Sequence, residues 1–507
     1  MHKSEEGADA MRFEVLKSVL GDGASARLGR LTIPHRKVLE TPGFFPISSR
    51  GAVPHVTPDI FAKHVESAGV YMGLEDFIEK SQKNPKREPP IYNVPSSHAT
   101  PLHAYTAMPP STITVLGARR FPAIAAPMGN SQNGISIFAS TGFQGLSTEE
   151  YETATETLKP DIVIPLADLT PSSATPKPKR ALRMAERTED WLNHWFRRLD
   201  PDSVLKPSNI SVFAPVLPIP YPMQWEYLNR LSEDHQQALS GLAIYNTDIL
   251  PDLKNYSSLL PLPRLSLDEA ATPHDILKQI SLGVDIFLLP FINTASDNGI
   301  ALTFTFPAPQ PAATPPTDPN PDTAPLPLGI DMSSPTHQTS LLPLRPGCAC
   351  HACTHHHRAY VHHLLRAREM LGWTLLQIHN HRVASDFFAG VRASYGAGLG
   401  ATDGARFAAA YEPDLPPAGA DARPRARGYH FRSEGGDERR NRPAWGRLGG
   451  DGEAGAGEVV VVGGVDGLTV AEDGVAVRDS VQTPLVPDGD SAELDKRGFA
   501  EVEGKER

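Results

Sequence analysis

All three cysteines of the 507-residue chain lie within one short segment, at Cys348, Cys350 and Cys353. Closely spaced thiols in a chain without other cysteines are typical of a metal site rather than of disulfides. A tetrahedral zinc site requires a fourth ligand, and the following residues offer several histidines: His351, His355, His356, His357, His362, His363, His379 and His381. Histidines adjacent to a cysteine would strain the chelate, so the distant His379 or His381 is favoured if a helix between them folds back. The alternative is three reduced thiols beside a solvated run of histidines.

A helix is expected after the last cysteine. Tyr360, Leu364, Leu365 and Leu371 recur at helical spacing among basic residues, and Gly372 is expected to end this helix. The ordered series CxCxxC, RAY, HHL, LG and LLxIHN resembles the zinc-binding segment of the tRNA-guanine transglycosylases. Members of that family exchange a guanine in the anticodon for a 7-deazaguanine base.

The resemblance covers about residues 12–432. Further segments occur in the family's order: Ala26–Leu31, Thr41–Pro46, Thr141–Gln144, Asp161–Ile164, Gly241–Ala243, Gly283–Phe287 and Pro424–His430. The resemblance implies an α/β fold, namely a (β/α)8 TIM barrel with an inserted zinc-binding subdomain at residues 346–382. It also implies one Zn²⁺ per subunit, held by Cys348, Cys350, Cys353 and His379, with the other histidines solvated or near nucleic acid.

Three acidic positions of the active family members are missing here. Those members attack the ribose with an aspartate that directly follows a phenylalanine, and in this chain Leu288 follows Phe287. Ala139 stands where the acid/base aspartate belongs, and Ala167 where an aspartate hydrogen-bonds the base. We therefore predict that this chain carries no catalytic residue.

Two acids lie near the positions of the missing ones. Asp285 lies three residues before Leu288, and Asp168 directly follows Ala167. Side chains alternate between the two faces of a strand, so an acid at an odd separation from the vacant position points to the opposite face. We expect neither acid to substitute for a missing one.

A barrel without its nucleophile resembles the non-catalytic subunit of the eukaryotic members of the family. This implies a heterodimer with a catalytic queuine tRNA-ribosyltransferase subunit, which modifies the wobble position of tRNAs with GUN anticodons during queuosine biosynthesis. The present chain would support dimer formation and tRNA binding. Two alternatives are an active enzyme with relocated carboxylates and a free-standing zinc-containing RNA-binding or scaffold protein.

The net charge of −11 does not favour RNA binding, but the zinc region is locally basic. Arg358, Arg366, Arg368 and Arg382 lie there, and a salt-bridged helix surface explains them equally well. The chain has no integral membrane segment and a polar start, which predicts a cytoplasmic protein. Resemblance to the family adds the expectation of a peripheral association with the mitochondrial outer membrane.

Two segments are predicted to lie outside the packed core. Residues 307–327 are rich in proline and are expected to form an extended surface insertion. Residues 433–507 combine glycine, arginine and acids with few aromatic residues, so we expect a disordered tail. Its arginines are diluted by neighbouring acids, which favours solvation over nucleic-acid binding.

Overall fold

The computed structural model describes residues 10–18, 25–78, 88–95, 100–124, 126, 129–139, 142–170, 176–198, 210–309, 325–417, 468–470 and 476–478. Contacts divide the chain into two units, Met1–Arg439 and Arg440–Arg507. Most of the predicted insertion at 307–327 and of the predicted tail at 433–507 lies outside the described residues.

The first unit begins with a small antiparallel sheet in the order β1-β2-β3. Its strands are β1 (Arg12–Ser18), β2 (Arg27–Thr32) and β3 (Leu39–Thr41). Leu31 and Leu39 of this sheet are buried together with side chains of the barrel interior, including Phe45 and Ile286. The sheet therefore covers the end of the barrel at which the strands begin.

Eight parallel strands form the main sheet. They are β4 (Gly43–Phe45), β5 (Gly69–Gly73), β6 (Ile113–Gly117), β9 (Ile162–Val163), β10 (Ser211–Val216), β11 (Gly241–Ile244), β12 (Arg264–Ser266) and β13 (Ile286–Leu288). Between β6 and β9, two further strands, β7 (Gly134–Ala139) and β8 (Gly142–Ser147), form an antiparallel hairpin.

The spatial order of the main sheet is β4-β13-β12-β11-β10-β9-β6-β5. Ile47 forms a parallel bridge with Tyr71, so the two edge strands meet. The amide of Ser48 donates to the carbonyl of Tyr71, and the amide of Tyr71 donates to the carbonyl of Pro46, each at 2.9 Å. The sheet thus closes on itself, and the predicted (β/α)8 barrel is confirmed.

Helices follow seven of the eight strands. They are α1 (Pro58–His64), α2 (Pro101–Thr106), α3 (Thr148–Leu158), α4 (Pro178–Arg198), α5 (Trp225–Glu233), α6 (Pro273–Ser281) and α7 (Pro290–Asp297). A 3₁₀ helix, Thr247–Asn255, follows β11 instead, and it contains Pro251, which cannot donate a main-chain hydrogen bond. Capping boxes at Ser147 and Thr272 begin α3 and α6.

The barrel interior is filled by alternate residues of the strands. Val115, Phe213, Leu265 and Leu288 belong to one buried cluster. Phe287, between two inward residues, instead packs outside against Phe388, with ring centroids 5.6 Å apart. This period of two is the pattern of a closed barrel, so a residue's position in its strand decides whether it faces the interior.

The remaining elements lie after the barrel strands. They are β14 (Ile300–Leu302), β15 (Gly329–Asp331), α8 (His351–His355), α9 (Arg358–Arg366), α10 (Met370–Ala397) and α11 (Gly400–Ala410). Short 3₁₀ turns occur at Leu74–Asp76, Pro90–Asn93, Tyr221–Met223 and Pro335–His337. In the second unit, β16 (Leu468–Val470) and β17 (Ala476–Arg478) form an antiparallel pair.

The expectation that Gly372 ends a helix was wrong. Helix α9 ends at Arg366, and the chain reverses through Arg368, whose φ of 56° is left-handed. Gly372 lies in the first turn of α10, where a Cβ would approach Leu365 Cδ2 to 3.1 Å. The glycine therefore permits close packing of α10 against α9.

Candidate metal centre and barrel mouth

The three cysteines are positioned by a turn that leads into α8. Gly347 adopts a φ of 73°, and Cys348 follows directly. Cys350 is the N-cap of α8, and its Sγ accepts a hydrogen bond from the amide of Cys353 at 3.4 Å. The short helix therefore directs the second and third thiols toward the same point.

His379 approaches the three thiols from the middle of α10. Its Nδ1 lies 3.7 Å from the Sγ of Cys348, 3.6 Å from that of Cys350 and 3.3 Å from that of Cys353. All four ligand atoms lie within 4.8 Å of one another. A sulfur and a nitrogen bound to one tetrahedral zinc are about 3.6 Å apart, from the usual bond lengths. The four residues are spaced to hold a metal ion.

The orientation of His379 is fixed by its other ring nitrogen. Its Nε2–H donates to the carbonyl of Leu302 in β14 at 2.8 Å, which leaves the Nδ1 lone pair facing the thiols. Burial by itself lowers the pKa of His379, but the hydrogen bonds with Cys348 and Cys353 outweigh burial and raise it to about 9. The sulfur atoms thus favour a cation at Nδ1, either a proton or a metal ion that displaces it.

The structure distinguishes the two histidines that spacing alone left open. Residues two apart on an α-helix project about 200° from each other. His381 accordingly stacks on Phe44, at 6.2 Å between ring centroids, and its Nδ1 contacts the carbonyl of Gln377 at 2.9 Å. Burial lowers its pKa to about 4, so the ring stays neutral there. His379, rather than His381, joins the cysteines.

The three residues that the resemblance aligns with the acids of active family members are all buried. Leu288 is 2% exposed and lies inside the barrel with Ile164 and Leu267. Ala139 is buried at the end of β7, and Ala167 is buried after β9. Each of these side chains is apolar and cannot exchange protons or attack a sugar. The absence of catalytic residues elsewhere in the chain stays a prediction.

Asp285 and Asp168 are both held by arginines. Asp285 is completely buried and accepts two hydrogen bonds from Arg27, at 2.9 and 2.6 Å, and one from the amide of Arg264. Asp168 is also completely buried and is paired with Arg180 at 2.7 Å and Arg187 at 2.6 Å. Both carboxylates therefore hold the fold together.

Sequence reasoning missed a group of polar residues at the mouth of the barrel. Arg119, Tyr71 and Tyr245 line a cavity of about 50 Å³ there, and Gly117 lies beneath it. A Cβ at Gly117 would lie 2.2 Å from the hydroxyl of Tyr71, so glycine is required for this ring to cross the mouth. The sequence feature that pointed to this group was the pair Arg119-Arg120 shortly after the buried strand β6. The carboxyl ends of barrel strands carry functional side chains.

The four arginines of the predicted basic region have different surroundings. Arg358 donates to the carbonyls of Pro343 and Leu344, and Arg382 pairs with Glu66 and Asp386. Arg366 and Arg368 are exposed and form no ion pair within the described residues. Two of the four are therefore structural and two are available to a partner.

Across the described part of the chain, the longest and most apolar helices still fall short of what a membrane span requires.

Residues 22–413 match the family model of queuine tRNA-ribosyltransferase. A relative in Schizosaccharomyces pombe, named queuine tRNA-ribosyltransferase accessory subunit 2, is 34% identical over 435 residues, which cover 84% of this chain and 91% of the relative. A protein of the same name in Drosophila mojavensis is 28% identical over 403 residues, covering 76% and 89%. One in Drosophila grimshawi is 28% identical over 397 residues, with the same coverage. The predicted resemblance to the family and to its accessory subunits is confirmed.

Proposed function

The chain belongs to the tRNA-guanine transglycosylase family, and on this basis we propose that it is the non-catalytic subunit of a heterodimeric queuine tRNA-ribosyltransferase. The observation that carries the proposal is the loss of acids from a retained barrel. By the family resemblance, Leu288, Ala139 and Ala167 correspond to the nucleophile, the acid/base group and the base-binding acid, and all three are buried apolar residues. A ribosyl transfer through a covalent intermediate requires the first two of these carboxylates.

The catalytic subunit then supplies the chemistry, and the present chain supplies the dimer surface and part of the tRNA-binding surface. The substrate is the guanine at the wobble position of tRNAs with GUN anticodons, which is replaced by queuine. The cytoplasmic location and the peripheral association with the mitochondrial outer membrane stay predictions.

We propose Zn²⁺ as the occupant of the Cys₃His site. Three thiolates and one imidazole form a closed four-ligand set, which is typical of structural zinc. The site connects α8, the middle of α10 and, through the His379 hydrogen bond, β14. One zinc per chain would therefore hold these elements in a fixed arrangement beside the barrel.

Exposed apolar side chains near the metal centre support pairing. Leu341 and Leu342 are 75% and 60% exposed, and hydrogen bonds join their segment to the start of α9. Met370, at the start of α10, is 67% exposed. Large apolar side chains grouped on a surface are typical of protein interfaces. We propose that this surface contacts the catalytic subunit.

Exposed cations at the end of α9 and in the turn that follows it support contact with tRNA. Arg366 and Arg368 carry charges that no acid neutralises within the described residues. Phosphate contacts by arginine contribute affinity that falls as salt rises. Replacing both residues with glutamine should weaken tRNA binding by the pair and reduce its dependence on salt concentration.

A base-exchange assay tests the catalytic part of the proposal. The full chain alone should incorporate no labelled guanine or queuine into tRNA, and the chain mixed with its catalytic subunit should do so. Turnover by the isolated chain would contradict the proposal. A pull-down from the native cell that recovers no transglycosylase would favour the free-standing RNA-binding or scaffold alternative.

An interface variant tests the pairing surface. Leu341→Asp combined with Leu342→Asp should weaken pairing, because two charges would lose water at the interface. Val38→Asp is the matched control, since Val38 is also exposed, at 49%, but lies directly before β3 of the N-terminal sheet. Equal pairing by both variants, measured by analytical ultracentrifugation, would place the interface elsewhere.

A further inference from the structure

The cavity at the barrel mouth is small and lined mostly by apolar groups. Its volume of about 50 Å³ is several times the roughly 10–15 Å³ that one water needs. Ile164, Leu166 and Ala167 line it together with Arg119 and Tyr245. The space therefore suits a ligand of a few heavy atoms, and its apolar walls strengthen any charge interaction inside it.

Arg119 has donors that the fold does not use. Its Nε donates to the carbonyl of Ser136 at 3.1 Å, and its Nη2 donates to the same carbonyl at 2.8 Å and to Oδ1 of Asn130 at 3.0 Å. Within the described part of the chain, the Nη1 group has no hydrogen-bond partner. One side of the guanidinium is fixed by the protein, and its other amino group is left for a ligand.

Tyr245 is the second unused donor. Its side-chain hydroxyl has no hydrogen-bond partner among the described residues, although the ring lines the cavity. Burial raises the pKa of Tyr245 to about 12, while the nearby Arg119 acts in the opposite direction. The hydroxyl therefore keeps its proton at neutral pH and can donate it to an acceptor.

The charges around the mouth do not balance. Arg120 pairs with Glu75 at 2.9 Å and with Asp76 at 3.1 Å, and Asp168 pairs with Arg180 and Arg187. Arg119 is the fourth arginine beside these three carboxylates, and it forms no ion pair within the described residues. Burial lowers the pKa of Arg119 below its ordinary value, which reflects the cost of a partly dehydrated cation. A bound anion would remove that cost.

We infer that this cavity binds a small oxyanion, such as inorganic phosphate or a short carboxylate, through Nη1 of Arg119 and the hydroxyl of Tyr245. Nη1 carries two N–H groups and the Tyr245 side chain one O–H group, both residues line the cavity, and charge-assisted hydrogen bonds are strong in a partly dehydrated site. Ala167 contributes only a methyl group, and none of the described residues that line the cavity carries a carboxylate that would compete with the ligand. The inference does not depend on pairing with a catalytic subunit.

Calorimetric titration of the full chain with sodium phosphate and, separately, sodium acetate tests the inference. Ionic strength is kept constant with chloride, and thermal unfolding is followed in parallel. At least one oxyanion should bind saturably and raise the unfolding temperature, as a ligand of the folded state does. The stronger of the two identifies the tetrahedral or the planar anion as the preferred class. Failure of both to bind would overturn the inference.

Variants decide whether the bound anion lies in this cavity. Arg119→Met should weaken binding by about tenfold or more, because it removes the charged donor. Tyr245→Phe keeps the ring and should weaken binding by about fivefold, and it covers the case in which Arg119→Met does not fold. Arg12→Met, at an exposed arginine of β1, should bind as the wild type does. Unchanged affinity in Tyr245→Phe and a folded Arg119→Met, or equal loss in Arg12→Met, would overturn the inference.

The same variants keep this inference separate from the proposed function. Tyr245→Phe should pair with the catalytic subunit as the wild type does, because the cavity lies at the barrel mouth and the proposed dimer surface lies beside the metal centre. Loss of anion binding with intact pairing is the expected result. Loss of pairing without loss of anion binding in Tyr245→Phe would contradict the assignment of the cavity.

Discussion

Replacing Asp285 with asparagine should destabilise the chain strongly. Asp285 is completely buried, and its partner Arg27 is 2% exposed. The carboxylate accepts two hydrogen bonds from Arg27 and one from the amide of Arg264 at 2.8 Å. Asparagine keeps the shape but leaves the buried guanidinium without a counter-ion. Breaking a buried pair in this way costs about 3–5 kcal/mol.

This loss would be a large part of the free energy of unfolding, which is about 5–15 kcal/mol for a typical domain. Denaturant-induced unfolding followed by tryptophan fluorescence measures it. Asp248→Asn is the matched control, because Asp248 is 74% exposed and lies 3.8 Å from Lys278. An exposed pair of this kind contributes about 0–1 kcal/mol. The control should unfold at nearly the wild-type denaturant concentration.

A double variant separates a buried charge from a lost contact. Arg27→Met with Asp285→Leu removes both charges, so it should destabilise less than the sum of the single replacements. Exchange by the folded Asp285→Asn chain, paired with its catalytic subunit, should change only modestly. Wild-type stability of Asp285→Asn together with loss of exchange by several orders of magnitude would refute a structural role and identify Asp285 as catalytic.

The purified chain should contain about one zinc by elemental analysis, and Cys350→Ser should lower both zinc content and thermal stability, whereas His363→Ala, at an exposed histidine, should lower neither. Full metal occupancy in Cys350→Ser would contradict the assignment. Removal of residues 433–507 should leave folding and pairing intact, because their composition cannot bury a core, and aggregation of the truncated chain would show that the boundary is misplaced. Leu288→Asp alone should not produce exchange activity in the isolated chain, since Ala139 and Ala167 still leave proton transfer and base binding unsupported; measurable turnover would show that one carboxylate suffices.

The ordered resemblance to a known family predicted the barrel, and local spacing was enough to predict three of the four metal-site residues. The strand segments carry short apolar runs in the order of a known family, and closely spaced thiols such as Cys348 and Cys350 can reach one ion without any knowledge of the fold. That Leu288, Ala139 and Ala167 stand where the resemblance expects acids was also a prediction from the sequence, because a missing functional group needs no coordinates, and it stays a prediction. Gly372 was misread because a glycine that ends a helix and one that permits close helix packing look the same in a sequence.

Only the tertiary structure decided which groups meet across long separations. The carbonyl of Leu302 orients His379, 77 residues away in the chain, and Arg27 neutralises Asp285 across 258 residues. At the barrel mouth, side chains from different strands converge, so that Arg119 and Tyr245 share a cavity. Such contacts depend on the order of the strands around the barrel. They also depend on which charged side chains become buried without a partner of opposite charge. Those quantities belong to the folded arrangement, because no local pattern in the chain records them.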